Sequence, residues 1–315
     1  MFLHEDDEFG ALIRIVADQR RVSPGIVEKD YWVTHSLWAL QQTDLEVFFQ
    51  GGTALSKVFE IIPRFSEDLD LKLEPGSNTD LPAISRSSES PAAIDKRRHY
   101  FVSLLPLLVI PHARVTLERG DEKWRNAEFR VNYPGQFLDT LQESMSPHVA
   151  LEVGVHAWTP PTLPCTFRAF VHDLVDDQGR LGDYADNCPT DVACVHPYAT
   201  LVDKLDVITR RYPRTPYRPE TFVRHYEDAA HIITHLDNLP QLSADADTSG
   251  AIDKMLGRIN ADDPAFVLGD ADRRAGLDDA HRKIQPMFWG ARLELDECCD
   301  TIRSWLVETP PRQEV

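Results

Sequence analysis

A glycine pair and two nearby carboxylates are the residues of this 315-residue chain whose types and spacing best suit chemistry. Gly51 and Gly52 follow an apolar run at residues 45–49 that is rich in strand-forming side chains, and they interrupt it where a tight turn needs glycine. A turn without side chains lets a phosphate approach main-chain N–H groups closely. The segment therefore predicts a phosphate-binding turn.

Asp68 and Asp70 belong to a stretch in which acidic residues alternate with Leu69, Leu71 and Leu73. This period of two predicts a half-buried strand with both carboxylates on one face. Two adjacent like charges repel each other, so a divalent cation between them favours keeping both ionised, and magnesium is the natural candidate. The alternative is an ordinary solvated strand face.

The surrounding patterns predict the elements that would position these residues. Ser23 followed by Pro24 predicts the start of a helix, and Thr53 is expected to cap a helix that ends before Pro63. Residues 114–117 and 128–133 predict a hairpin, and residues 149–156 predict a further strand. Helical patterns dominate from about Tyr198 onward.

Composition limits the class of protein. The apolar fraction of 42% is enough for a buried core, and no stretch approaches the length of a membrane span. The acidic start and five cysteines without metal spacing predict a cytoplasmic protein with reduced thiols. The formal net charge of -18 disfavours casual nucleic-acid binding, although the distribution of charge matters more than its sum.

The glycine pair and the acid-apolar-acid strand resemble the signature of the DNA polymerase beta-like nucleotidyltransferases. More narrowly, residues 28–33, 51–57, 64–71 and a basic stretch from Lys204 to Asp228 resemble the AbiEii/AbiGii toxin family, which includes the MenT-type toxins. The resemblance extends from about residue 20 to about residue 236. It implies a bacterial toxin of a toxin-antitoxin or phage-defence system that transfers a nucleoside monophosphate from an NTP to an acceptor, which is a tRNA 3′ end in some members.

The resemblance also implies roles for individual residues. Asp68 and Asp70 would hold the metal ions, expected to be two Mg²⁺ ions with Mn²⁺ as a substitute, and Gly51, Gly52 and Thr53 would form the phosphate turn. Further nucleotide-contacting positions would be Ser56, Lys57, Arg64 and Ser66. Lys204 and Asp228 fall near the family's downstream lysine and aspartate.

A polymerase-like site needs a third carboxylate, and Glu152 is the best candidate because it lies opposite the apolar face of its predicted strand. The alternative is a solvated glutamate. His156 on the same polar face is a weaker candidate, expected to be structural. Lys204 lies at the edge of an apolar helical stripe, where it could neutralise a triphosphate or pair with Asp203 or Asp206. Asp228 could orient Lys204 or Arg224, or only solvate a helix.

A basic stretch interleaved with tyrosines could bind a single-stranded RNA end, with bases stacking on Tyr212, Tyr217 and Tyr226. Its arginines include Arg210, Arg211, Arg214 and Arg224. The alternative is a solvated basic loop.

Together these observations predict an α+β fold with a polymerase beta-like mixed sheet in residues 1–195 and a helical bundle in residues 196–315. The predicted function is Mg²⁺-dependent transfer of NMP to an RNA 3′ end, most simply tRNA, by a toxin with a cognate antitoxin. The alternatives are transfer of a nucleotidyl or phosphoryl group to a protein hydroxyl or a small molecule, and a partner-binding protein without catalysis.

Overall fold

The structure is a computed structural model that describes residues 1–76, 78, 80–141, 145–155, 160–242 and 246–308, with the backbone alone for residues 246 and 247. The chain divides into two compact units. Unit 1 comprises Met1–Thr53, Glu67–Ala157 and Leu163–Cys194, and unit 2 comprises Ala54–Ser66, Trp158–Thr162 and Val195–Val315. Residues 54–66 thus cluster with the later part of the chain, whereas the predicted division placed them in the first domain.

A mixed sheet of seven strands, counted over the described residues, forms the centre of unit 1 in the order β3-β4-β5-β2-β1-β7-β6. The strands are β1 (Val47–Gln50), β2 (Asp68–Leu73), β3 (Arg114–Gly120), β4 (Asn126–Asn132), β5 (Val149–Val155), β6 (Thr162–Cys165) and β7 (Val192–Val195). Strand β2 pairs antiparallel with β1 and parallel with β5, and β4 pairs antiparallel with both β3 and β5. The acid-bearing strand therefore lies in the interior of the sheet.

Helices lie between several strands of this sheet along the chain, and further helices come after the last strand. The chain forms α1 (Phe9–Arg20), α2 (Pro24–Gln41), α3 (Gly51–Lys57), α4 (Pro91–Leu104) and α5 (Phe170–Asp177) before residue 195. Helix α2 is buried on nearly every side because it contacts α1, α5, β2 and β5. It begins with Pro24 in its first turn, after the N-cap Ser23, as predicted.

In the part of unit 2 after residue 195, the regular elements among the described residues are all helices. Its helices are α6 (Pro197–Arg211), α7 (Arg224–His235), α8 (Ala246–Leu256), α9 (Pro264–Val267), α10 (Ala271–Lys283) and α11 (Leu295–Glu308). Helix α7 packs against both α6 and α11. The predicted fold class, a mixed α+β sheet followed by a helical bundle, is confirmed. No helix in the described ranges combines the length and the apolar character that a membrane span requires.

A buried network of aromatic and polar side chains joins α2 to the chain start in unit 1. The Tyr31 hydroxyl lies 2.7 Å from His4 Nδ1 and accepts from Asn187 Nδ2 at 3.0 Å. Asn187 Nδ2 also lies 2.9 Å from His35 Nδ1, and His4 Nε2 lies 2.7 Å from His112 Nδ1. Burial lowers the pKa of both His4 and His35 to about 4, so both imidazoles are neutral at pH 7.

The helix after the glycine pair differs from its prediction. It ends at Lys57 rather than before Pro63, because the N–H groups of Val58 and Phe59 both bond the Ala54 carbonyl and Glu60 adopts a left-handed conformation with φ of 51°. Thr53 does not cap this helix, since α3 already begins at Gly51.

Candidate active site

The glycine turn and the acid-bearing strand meet at one point of unit 1. Gln50, the last residue of β1, pairs with Asp70 of β2, and the next residue, Gly51, has a φ of +79°. A Cβ atom added to Gly51 would lie 1.7 Å from Asp70 Oδ2 and 2.4 Å from its Cγ. Gly51 is therefore required both by its backbone conformation and by the carboxylate that occupies the space of its missing side chain.

Three carboxylates form a row across neighbouring strands. Asp70 of β2 is the register partner of Glu152 of β5, and Glu152 is the register partner of Glu128 of β4. Adjacent strands lie about 4.8 Å apart, so these side chains project from neighbouring positions on one face of the sheet. Glu152 is the exposed residue of a strand whose other six residues are buried. The predicted third carboxylate thus lies beside Asp70.

Asp68 lies on the same face, two residues before Asp70, and its backbone is fixed from the glycine turn. The hydroxyl of the fully buried Thr53 donates to the Asp68 carbonyl at 2.5 Å. Leu69 and Leu71 point into the core, as the alternation predicted. Thr53 therefore joins the turn to the acid-bearing strand β2 through its side chain, a role that replaces its predicted capping role.

The donor chemistry of Asp68, Asp70 and Glu152 fits Mg²⁺, which prefers carboxylate oxygens. Within the described residues, no three His, Cys, Asp or Glu side chains lie together in an arrangement that could hold a metal ion by itself. Mg²⁺ is usually held by one or two carboxylates together with waters and substrate phosphates rather than by an all-protein cage. The carboxylate row beside the glycine turn suits this mode of binding.

A buried ion pair fixes the segment that leads into β2. Lys29 of α2 donates to the Glu67 carboxylate and, at 2.6 Å, to the Ser146 carbonyl, while the Ser146 N–H donates to Glu67 Oε2 at 3.1 Å. Burial lowers the pKa of Lys29 and raises the pKa of Glu67, and the opposite charge of each partner counteracts both shifts. The three residues connect α2, the start of β2 and the loop before β5.

Unit 2 contains a second charged cluster, which is centred on Asp228 of α7. Asp228 is 1% exposed and accepts from Arg64 Nε and Nη2, each at 2.9 Å. Lys204 Nζ of α6 donates to the same carboxylate at 2.7 Å, and His225 Nδ1 lies 3.5 Å from Lys204 Nζ. A bidentate arginine and a lysine on one buried carboxylate leave the cluster with a net positive charge.

Burial and charge act in opposite directions on this cluster. Burial alone would raise the pKa of Asp228, but the charges of Arg64 and Lys204 hold it below its ordinary value, so the carboxylate is ionised. Burial lowers the pKa of Lys204, against the effect of Asp228. The pKa of His225 is lowered well below its ordinary value by burial and by the Lys204 charge, so His225 is neutral.

The other predicted nucleotide-contacting residues belong to two environments. Ser56 and Lys57 occupy the last turn of α3 with intermediate exposure. Arg64 and Ser66 are buried in unit 2. Of the two partners considered for Asp228, the structure pairs it with Lys204, and Arg64 is its second cation in place of Arg224.

The predicted RNA surface is only partly exposed. Arg210 pairs with Asp206 one helical turn earlier, at 2.6 Å, and Arg211 donates to the Thr221 carbonyl. Arg214 is exposed, and Arg224 begins α7 with intermediate exposure.

The expectation that bases stack on the interleaved tyrosines is wrong for two of the three. Tyr212 and Tyr226 are buried, and the Tyr226 hydroxyl donates to the Ala265 carbonyl. Tyr217 donates to the Arg273 carbonyl and contacts that arginine through its ring. These rings pack in the helical unit because their large apolar surface is more stable in the core.

Sequence reasoning missed Glu128, Lys29 and His148. In β4, burial of Ala127, Phe129 and Val131 leaves Glu128 on the opposite face, so the alternation could have singled it out. Lys29 lies in the segment 28–33 that carries the family resemblance, but its burial was not predicted because a lysine in a helix is normally solvated. His148 precedes β5 and lies within electrostatic reach of Asp68 and Glu128. His156, considered a weaker structural neighbour of Glu152, lies outside the described residues.

Comparisons with known proteins give the family of this chain. The sequence model of the family described as "Nucleotidyl transferase AbiEii toxin, Type IV TA system" matches residues 36–298. A search of the curated proteins gave no match. Among solved structures, the chain is similar to MenT4, a nucleotidyltransferase toxin from Mycobacterium tuberculosis H37Rv, with 16% identity, a TM-score of 0.38, and coverage of 92% of this chain and 99% of that chain. Because the family match includes most of the chain, the protein belongs to the AbiEii nucleotidyltransferase toxin family.

Proposed function

We propose that this protein transfers a nucleoside monophosphate from an NTP to the 3′ end of an RNA, with tRNA as the natural acceptor, in a Mg²⁺-dependent reaction. The observation that carries the proposal is the register of β1, β2 and β5, which places Asp70 beside Glu152 and against the Gly51 turn. Family membership supports nucleotidyl transfer and a toxin with a cognate antitoxin. The RNA acceptor is inferred from the resemblance described above.

The donor nucleotide would bind through main chain and cations. The turn at Gly51 and Gly52 has no side chains of its own, so the N–H groups of residues 51–53 would bind the β- and γ-phosphates. Ser56 and Lys57 would extend these contacts. Because α3 has only seven residues, we expect the turn rather than the helix dipole to supply most of the binding.

Asp68, Asp70 and Glu152 would hold the metal ions. Bound Mg²⁺ would neutralise charge that develops on the triphosphate and acidify the attacking hydroxyl. Thr53 maintains the position of Asp68 through its hydrogen bond to that residue's carbonyl. Most of the rate enhancement would come from alignment of the attacking hydroxyl and the α-phosphate, because held geometry removes the entropic cost of bringing them together.

We assign Lys204 to charge neutralisation of the triphosphate, with Asp228 and Arg64 as positioning residues. Asp228 fixes the lysine head group through the 2.7 Å contact and is itself fixed by the bidentate Arg64. A lysine whose pKa is lowered by burial can also lose a proton more easily than an exposed one. Arg64, being buried and paired, acts through Asp228 rather than on the nucleotide.

The test combines purified protein, Mg²⁺, each α-labelled NTP in turn and total bacterial RNA. We expect label in a tRNA-sized band, and we expect no label on RNA whose terminal 2′,3′-diol has been oxidised with periodate. Asp70→Asn should abolish the signal, whereas Asp183→Asn, at an exposed carboxylate of the same unit, should retain it. Label on the protein itself would indicate a protein acceptor, and no label in any reaction would exclude the proposed transfer.

A further inference from the structure

A cavity of about 240 Å³ lies at one end of the carboxylate row, where the β3–β4 hairpin meets β5 in unit 1. Glu152 and Glu128 border this cavity, together with Arg119, Asp121 and Asn126 of the hairpin. Pockets that enclose a drug-sized ligand measure roughly 300–1,000 Å³, so this smaller cavity suits a single sugar rather than a whole nucleotide. Its charged and amide side chains suit a ligand that carries hydroxyl groups.

The two glutamates that border the cavity are directly opposite each other on paired strands. Glu128 of β4 is the register partner of Glu152 of β5. Directly opposite residues of an antiparallel pair have Cβ atoms about 4.5–5.5 Å apart, and like charges in this arrangement repel each other. A ligand that donates one hydrogen bond to each carboxylate would therefore be stabilised between them.

Glu128 retains the capacity to accept a hydrogen bond after its protein contacts. Arg119 Nη2 lies 2.6 Å from Glu128 Oε2 and balances the charge of the carboxylate. Arg130 Nε lies 3.5 Å from Glu128 Oε1. Among the described residues, this Nε is buried without a hydrogen-bond partner, whereas neither Glu128 oxygen is. Glu128 Oε1 therefore receives no hydrogen bond from Arg130 Nε and can accept one from a ligand in the cavity.

The order of the strands places this cavity on the acceptor side of the proposed reaction. The strands adjoin in the order β1-β2-β5-β4, so the Gly51 turn lies at one end of the carboxylate row and Glu128 at the other. In an in-line displacement, the attacking oxygen and the leaving pyrophosphate lie on opposite sides of the reacting phosphorus. With the triphosphate at the Gly51 turn, the acceptor hydroxyl would approach from the Glu128 end.

We propose that this cavity binds the terminal ribose of the acceptor RNA, with the attacking 3′-hydroxyl beside Glu152 and the neighbouring 2′-hydroxyl donating to Glu128. The proposal rests on the proposed function, because it takes RNA as the acceptor. Two vicinal hydroxyls of one ribose can reach two carboxylates that are one strand spacing apart. Glu128 then determines specificity for RNA over DNA at the acceptor end, because DNA lacks the 2′-hydroxyl.

The test compares a tRNA with the same tRNA whose last nucleotide is a 2′-deoxynucleotide. For the wild-type protein we expect an acceptor KM at least about tenfold higher with the deoxy tRNA, the effect of losing one hydrogen bond to a charged group. Glu128→Leu should raise the KM for the natural tRNA by a similar factor and should no longer distinguish the two tRNAs. Glu128→Gln should discriminate to an intermediate degree, because its amide oxygen still accepts a hydrogen bond.

Glu118→Leu is the matched control. Glu118 is a carboxylate of the same hairpin that also pairs with Arg130, at 3.1 Å, but it lies outside the lining of the cavity. This variant should distinguish the two tRNAs as the wild type does. Equal use of the two tRNAs by the wild type, or undiminished discrimination in Glu128→Leu, would overturn the assignment.

Two further measurements separate this role of Glu128 from others. The KM ratio between an NTP and its 2′-deoxy analogue should be the same in the wild type and in Glu128→Leu, because the cavity holds the ribose of the acceptor. Mg²⁺ should raise the melting temperature of Glu128→Leu as much as that of Glu118→Leu. A changed donor ratio would assign the cavity to the donor ribose, and a smaller effect of Mg²⁺ would assign Glu128 to the metal ions. Either result would overturn the proposal.

Binding of the two tRNAs, followed by fluorescence anisotropy in Mg²⁺ without NTP, separates this inference from the proposed function. Absence of transfer to RNA by the wild type would refute the proposed function. Tighter binding of the natural tRNA, with the difference lost in Glu128→Leu, would still support the ribose site. Indistinguishable binding of the two tRNAs by the wild type would refute the ribose site on its own.

Discussion

Replacement of Gly51 by alanine should separate the geometry of the site from the stability of the fold. The substitution has two effects in the structure. An alanine at a φ of +79° is strained by about 1–2 kcal/mol, and its Cβ would lie 1.7 Å from Asp70 Oδ2. Because ordinary contact begins at 3.4 Å, the Asp70 carboxylate must move by about 2 Å. A displacement of even 1 Å can cost roughly 100-fold in rate, so we expect kcat to fall at least about 100-fold.

Gly179→Ala supplies the matched control for this experiment. Gly179 also has a positive φ, of +68°, but a Cβ atom there would meet nothing within 4 Å. Gly179→Ala should lose about 1–2 kcal/mol of unfolding free energy in urea titrations. Gly51→Ala should lose at least as much, because its Cβ would also lie 2.7 Å from Asp70 Cβ, and it alone should lose transfer activity. Normal activity in Gly51→Ala, or an equal loss of activity in both variants, would refute the requirement for close approach of the turn to Asp70.

Three further predictions concern buried charges and protonation. Lys29→Met should lower the unfolding free energy in urea titrations by about 3–5 kcal/mol, because it leaves Glu67 buried without its partner. The double variant with Glu67→Leu should recover much of this loss, and additive losses from the two substitutions would contradict the ion pair. Asp228→Asn should cost a similar 3–5 kcal/mol, because two buried cations lose their shared counter-charge, and a loss below about 1 kcal/mol would show that they are not ionised. His35, whose pKa burial lowers to about 4, binds protons more readily in the unfolded chain, so its contribution to stability is complete above about pH 6.5 and decreases as the pH falls toward 4. This histidine alone should account for about 2 kcal/mol of lost stability between pH 7 and pH 5, and unfolding of His35→Gln should show a correspondingly weaker pH dependence than the wild type.

Local sequence patterns predicted the parts of the site that depend on strand period. Asp68 and Asp70 share a face because side chains alternate along a strand, and Glu152 is exposed for the same reason. The tight turn at the glycine pair was also predictable from the sequence, and Gly51 has the positive φ that such a turn needs. The contact of Gly51 with Asp70 could not be predicted, because it depends on the pairing of β1 with β2.

Long-range pairing determined what the sequence did not reveal. Arg64 and Asp228 are 164 positions apart, and no periodic signal connects them. Glu128 joins the carboxylate row only through the pairing of β4 with β5. The apolar residues between Gly52 and Pro63 predicted a helix longer than α3. Apolar residues of an irregular segment can be buried at the same spacing as those of a helix, and Ile61 and Ile62 are buried beyond the end of α3.

The fate of each phosphate of the NTP gives the most direct test of the proposed chemistry. Wild-type protein would be incubated with Mg²⁺, tRNA and each NTP labelled at either the α- or the γ-phosphate, with and without a chelator. We expect the α-label on the tRNA, the γ-label in pyrophosphate, and loss of both products with the chelator. Transfer of the γ-label to any acceptor, or transfer of the α-label that persists with the chelator, would contradict metal-dependent nucleotidyl transfer.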